Sequence, residues 1–156
     1  MKQIHILITA HPQEQETTHD DSAPVYSFRL KMLESNAYSQ LMDRKISSIF
    51  LTMGLQPSMK GYRYLRDAVK LAMQNPDVMH CVTRRQYPAI AEQHDTTAAN
   101  VEHNIRHAID VCWQRGRGEA LNGIFGYRVV LQSDKPSNSG LIALISDYLL
   151  SQNALE

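Results

Sequence analysis

The chain has 156 residues, of which 43 % are apolar and 21 % charged, an ordinary balance for a globular chain of one domain plus an appendage. Sixteen Lys and Arg against sixteen Asp and Glu leave no net charge, which excludes a uniformly basic nucleic-acid coat and confines any DNA contact to a local face. Cys81 and Cys112 lack metal-type spacing, and with His80 they read as core or near-core residues; no stretch approaches the roughly 18 apolar residues of a membrane span. A cytoplasmic protein with reduced thiols and no membrane contact is expected.

Ile4–Ala10 (IHILITA) is short and β-branched and reads as a strand. Residues 11–24 are polar, with two prolines and the Asp20-Asp21 pair, and read as a long loop. Val25–Leu33 alternates apolar and polar residues as a second strand does, while a helix over Phe28–Leu41 fits as well; the pattern does not separate the two. Two strands here form a hairpin, which alone is marginal in water, so residues 1–45 are expected to be an appendage that pairs with the rest of the chain or with a second copy.

From about Asp43 the period becomes helical. Ile46, Ile49, Phe50 and Met53 share one face and Gly54 follows as a stop. A second helix opens at Pro57-Ser58, carries Leu65, Ala68, Val69 and Ala72 on one stripe, and ends at Asn75-Pro76. Short helices are expected over Asp77–Arg84, Tyr87–Gln93 and Glu119–Phe125. Thr97–Arg115 is the longest periodic stretch and stops at Gly116 and Gly118. Residues 134–138 read as a loop, and Ser139–Ser151 closes the chain with Leu141, Leu144, Ile145, Tyr148 and Leu149 inward. The fold expected is mainly α: a helix-turn-helix bundle of about six helices over residues 46–156, with a short strand or hairpin in front.

Tyr87–Gly116 carries the functional signal. A short helix, the polar turn His94-Asp95-Thr96, and a long helix opened by Thr97 as N-cap make a helix-turn-helix pattern. On a helical wheel Val101, Ile105, Ala108, Ile109 and Cys112 form the inner stripe. Asn100, His103, Arg106 and His107 lie outside, with Glu102 on the flank. Asn suits adenine, Arg suits guanine, and Glu accepts from cytosine, and in such motifs the first half of the second helix enters the major groove. Any surface helix also shows a polar outer face, so periodicity alone does not establish DNA reading. Lys60, Arg84 and Arg85 are candidate phosphate contacts, although singly such a residue is more often a solvated surface charge.

Several words of the chain occur together, in order, elsewhere. KGYRYLRDA (Lys60–Ala68), YPAIA (Tyr87–Ala91), TTA (Thr96–Ala98), IRHAI (Ile105–Ile109), Trp113 with Arg115-Gly116, FGY (Phe125–Tyr127) and KPSNS (Lys135–Ser139) make residues 46–150 similar to the C-terminal effector domain of the stage-zero sporulation response regulator. That resemblance implies an all-α domain of about six helices that binds duplex DNA, acts at promoters and touches the sigma subunit of RNA polymerase. It also implies a base-reading role for Glu102 and Arg106.

Three departures accompany it. His103 stands where the family's first reading arginine is expected, and Asn100 where the family tends to be basic; a neutral imidazole lacks arginine's bidentate fork. Between Arg117 and Ile124, the part that in the family lies near RNA polymerase, Gly118 and Ala120 are smaller than expected. In front, a phosphoacceptor receiver needs on the order of 100 residues, whereas about 45 precede the effector. Ile4–Ala10 resembles a receiver's first strand, but His11-Pro12 occupy the place of its acidic pair. No phosphorylation switch of the usual type is expected.

His103 and His107 are spaced as a zinc pair, yet no Glu follows His103 and no third ligand is evident. No nucleophile elbow, Gly-rich phosphate loop or catalytic carboxylate pair is present. Neither an enzyme nor a cofactor is expected. The residues assigned to DNA are Thr97, Asn100, Glu102, His103, Arg106, His107, Lys60, Arg84 and Arg85. A homodimer is expected through the front segment, because half-site readers commonly work as dimers. The competing reading is an interaction module on the same fold, which meets a full-length relative or the sigma subunit without reading DNA.

Overall fold

The computed structural model describes residues 23–155, with side chains from Lys31 onward. Six α-helices occur among them: α1 (Ala23–Thr52), α2 (Lys60–Gln74), α3 (Tyr87–Gln93), α4 (Ala98–Gln114), α5 (Ala120–Phe125) and α6 (Asn138–Asn153). A 3-10 turn over Pro76–Cys81 and a π turn over Val82–Gln86 join α2 to α3. No strand is present among the described residues, only an isolated bridge between Leu131 and Asp134. The expected strand Ile4–Ala10 lies outside the described residues. The expected second strand, Val25–Leu33, is instead the start of α1, so the helical alternative holds. Its apolar residues Met32 and Leu33, like Tyr38 and Leu41 further along, remain exposed. Among the described side chains before Met42 there is therefore no buried stripe for a period to reveal.

The chain divides into two compact units, Met1–Asn36 and Ala37–Glu156; the core and the site belong to the second. Met42, Ile46, Ile49, Phe50 and Met53 give α1 its buried face, and Gly54 ends the turn after it at φ +80°. The central helix is α2, which packs on α4 and α6. Its Leu65, Ala68, Val69 and Ala72 are buried as their spacing predicts, with Tyr62 edge-on to Phe50 at a ring distance of 5.1 Å. Tyr62, Tyr64 and Trp113 are packing residues, and all three are buried.

Between α2 and α3 the backbone departs from the single short helix expected over Asp77–Arg84. Pro76 starts a 3-10 turn, and the Asn75 side chain accepts the Asp77 amide at 3.2 Å. The fully buried Gln86 then donates its side-chain amide to the Ala68 carbonyl at 2.8 Å. A buried amide needs such a partner, and meeting it ties the wider π turn to α2. His80, expected near the core, is on the surface of this segment, and Cys81 is half-buried.

After α5 a single side chain organises the loop. Asn122 Oδ1 accepts the amides of Val129 and Val130 at 2.7 and 3.0 Å, and its Nδ2 donates to the Val130 carbonyl at 2.9 Å. The Ser137 hydroxyl then caps α6 by accepting the Gly140 amide at 3.1 Å. Leu141, Ile145 and Leu149 are buried, with Leu144 and Tyr148 packed beside them.

Candidate nucleic-acid interface

The turn between α3 and α4 is closed by backbone bonds from the His94 amide to the Ile90 carbonyl (3.2 Å) and from Thr96 to Ala91 (3.0 Å). Asp95 sits between them at φ +50°. Among non-glycine residues Asp and Asn tolerate this left-handed region best, so the chain reverses here without a glycine. Thr97 is the N-cap of α4, its hydroxyl accepting the Asn100 amide at 3.2 Å. Asn100 Nδ2 donates in turn to the Thr96 hydroxyl at 3.2 Å. From α2, Asp67 Oδ2 lies 2.5 Å from His94 Nε2, and Tyr64 meets the same imidazole edge-on at 5.0 Å. The turn is thus fastened at its base to the central helix.

Helix α4 presents two faces, as its period predicts. Val101, Ile105, Ala108, Ile109 and Cys112 are buried. Asn100, His103, Arg106 and His107 are exposed, and Glu102 is partly exposed. Arg106 forms an ion pair with Glu102 one turn earlier. An exposed pair at this spacing contributes only about 0.3–0.5 kcal/mol, so it orients the guanidinium without locking it. Asn104 bonds back to the Asn100 carbonyl at 2.7 Å.

Two neighbouring segments flank this face. Gly61 in the first turn of α2 lies so close to α4 that an added Cβ would stand 2.1 Å from the Asn104 carbonyl oxygen. That approach brings the exposed Lys60, the preceding residue, beside the middle of α4. On the other side a cleft of about 260 Å³ is lined by Thr83, Tyr87, Arg106, Lys135, Ser137 and Ser139, among others. The exposed Arg84 and Arg85 follow Thr83 directly. Lys60 and the Arg84-Arg85 pair therefore belong to two different segments, each of which adjoins α4.

The loop before α6 closes the cleft. Lys135 pairs with Asp110 of α4, and Asn138 Nδ2 donates to the Glu102 carbonyl at 3.1 Å. Burial pushes the Tyr87 phenol above the ordinary tyrosine range, partly offset by a hydrogen bond from Asn138. Lys135 and Asp110 are not among the residues the sequence singles out for DNA. Lys135 reads there as part of a loop, and no helical period connects it to Asp110, 25 positions away. Among the described residues no group of three or more His, Cys, Asp or Glu is gathered as a metal site, His103 and His107 included.

A short helix, a tight turn and a capped second helix with a polar outer face, set in an all-α bundle, define a helix-turn-helix protein. The family model described as Sporulation initiation factor Spo0A C terminal matches residues 46–149. The chain belongs to that family. This is a family of DNA-binding effector domains in the regulation of transcription and sporulation, and it is not a family of enzymes. Among the described residues no helix is long and apolar enough to cross a membrane.

Proposed function

We propose that the chain is a sequence-specific regulator that reads duplex DNA with the first half of α4. Arg106 and Glu102 contact base edges there. Asn100, His103 and His107 extend the face, Thr97 sets the helix N-terminus toward a phosphate, and Lys60, Arg84 and Arg85 contact the backbone on either side. The observation that carries this reading is the exposed Arg106, on the outer row of a helix whose start is capped and whose turn is pinned to α2. The same reading includes a second copy of the chain, supplied through residues 1–45, and the sigma subunit of RNA polymerase as partners.

The test begins with duplexes selected from a random library. A bidentate arginine–guanine contact contributes about 1–3 kcal/mol of discrimination. Arg106→Ala is expected to weaken binding to the selected duplex roughly tenfold to a hundredfold and to relax preference at one base pair. Arg85→Ala should weaken binding to selected and random duplexes alike and lower the salt slope by about one. Isotherms of Arg106→Ala that overlay the parent on both duplexes overturn the reading. They would favour the interaction module, whose support is that carboxylates already neutralise both Arg106 and Lys135.

A further inference from the structure

Glu102, Arg106 and Asp110 follow one another at single-turn spacing along the outer side of α4, and Lys135 reaches this row from the loop before α6. Two cations face two carboxylates: Arg106 with Glu102, and Lys135 with Asp110. The pairs differ in kind. Glu102 and Arg106 lie in the half of α4 that enters a groove and carry groups that match base edges. Asp110 lies two turns beyond Glu102, about 12 Å along the helix axis, past that half. A carboxylate there has no base edge to accept from, and phosphate repels it. Yet it holds the ammonium of a lysine that shares a cleft with Arg106, Ser137 and Ser139.

We propose that Asp110 limits the strength of DNA binding: it occupies Lys135 and keeps that ammonium from contributing to sequence-independent phosphate binding. This rests on the DNA-reading role of α4 proposed above. The side chains of Lys135 and Asp110 are 43 % and 34 % exposed, so the pair is solvated and open to competition. Sequence-independent affinity grows with each phosphate neutralised, while base contacts do not. Withholding one cation therefore lowers binding to every duplex by about the same factor, so Asp110 sets the sequence-independent part of the affinity.

The alternative is that the pair only fastens the loop to α4, beside the Asn138 bond to the Glu102 carbonyl. Asp110→Asn separates the two, because it keeps shape and hydrogen-bonding reach and removes only the charge. The proposal expects Asp110→Asn to bind a random duplex about three- to tenfold more tightly at low salt, with the salt slope steeper by about one. Binding to the selected duplex should gain by a similar factor, so the ratio of the two affinities stays unchanged. Adding Lys135→Gln to Asp110→Asn should return random-duplex binding to the parental level. A fastening role alone predicts a lower melting temperature and weaker binding to both duplexes. Unchanged or weaker random-duplex binding by Asp110→Asn overturns the proposal, as does a gain that survives Lys135→Gln. Failure of the underlying reading shows separately, as Arg106→Ala indistinguishable from the parent on the selected duplex. Absence of binding to any duplex by the parent and Asp110→Asn overturns both.

Discussion

Cys112 is fully buried, and its thiol lies 2.9 Å from the Met53 carbonyl at the seam between α4 and the end of α1. Burial pushes the thiol up to about 11, only partly opposed by the charge of Arg117. The thiolate is the reactive form, so Cys112 is expected to resist alkylation at pH 8 for as long as the seam stays closed. Half-buried Cys81 should react first. Iodoacetamide followed by peptide mass mapping should find one label, at Cys81, in the native protein and two in denaturant. Comparable labelling of both under native conditions would show that the seam opens. At this scale the sequence was informative about type and less so about place: Cys112 sits in the core as its stripe predicts, while His80, assigned near the core with Cys81, is exposed. A single residue between elements has no period to locate it, and its burial depends on what packs over it.

At the scale of elements, the approach of α2 to α4 sets where the candidate reading helix lies. At Gly61 an added Cβ would stand 2.1 Å from the Asn104 carbonyl oxygen and 2.8 Å from the Ala108 Cβ. The first of these is backbone, and it cannot turn away. Gly61→Ala should therefore force the helices apart and cost about 1–3 kcal/mol, the usual range for overpacking. Urea unfolding should show the midpoint falling with the slope unchanged; a loss below about 0.5 kcal/mol, the level of an ordinary surface change, would show that the two helices adjust freely. The helices themselves were legible wherever one apolar stripe met a clear stop: α3 has the expected bounds, and α4 begins one residue after its expected cap at Thr97. The beginning of α1 was not legible, because Met32, Leu33, Tyr38 and Leu41 are exposed and mark no inward face. The π turn was not legible either, since it depends on where the Gln86 amide finds the Ala68 carbonyl.

At the scale of the molecule, all described buried apolar side chains lie from Met42 onward, within the compact unit Ala37–Glu156. A chain beginning at Ala37 should melt cooperatively within a few degrees of the full chain, because removing the front takes away no described core contact. A broad transition in calorimetry would show that residues before Ala37 complete the core. Sedimentation of the full chain and of a chain beginning at Asp43 tests the homodimer proposed for the front segment, with the full chain expected to run as a dimer and the shorter one as a monomer; equal states would end that proposal. The sequence alone determined the helical class of residues 46–156, the capped turn, and the inner and outer faces of α4. Each follows from local chemistry: a 3.6-residue period, a hydroxyl placed to accept a helical amide, glycines where a helix stops. Only the tertiary structure decided what surrounds that outer face. Lys60 came beside it through the Gly61 contact, and Lys135 met Asp110 across 25 positions of chain. Those juxtapositions are set by how helices pack and loops return, and no periodicity along the chain encodes the distance between residues on different elements.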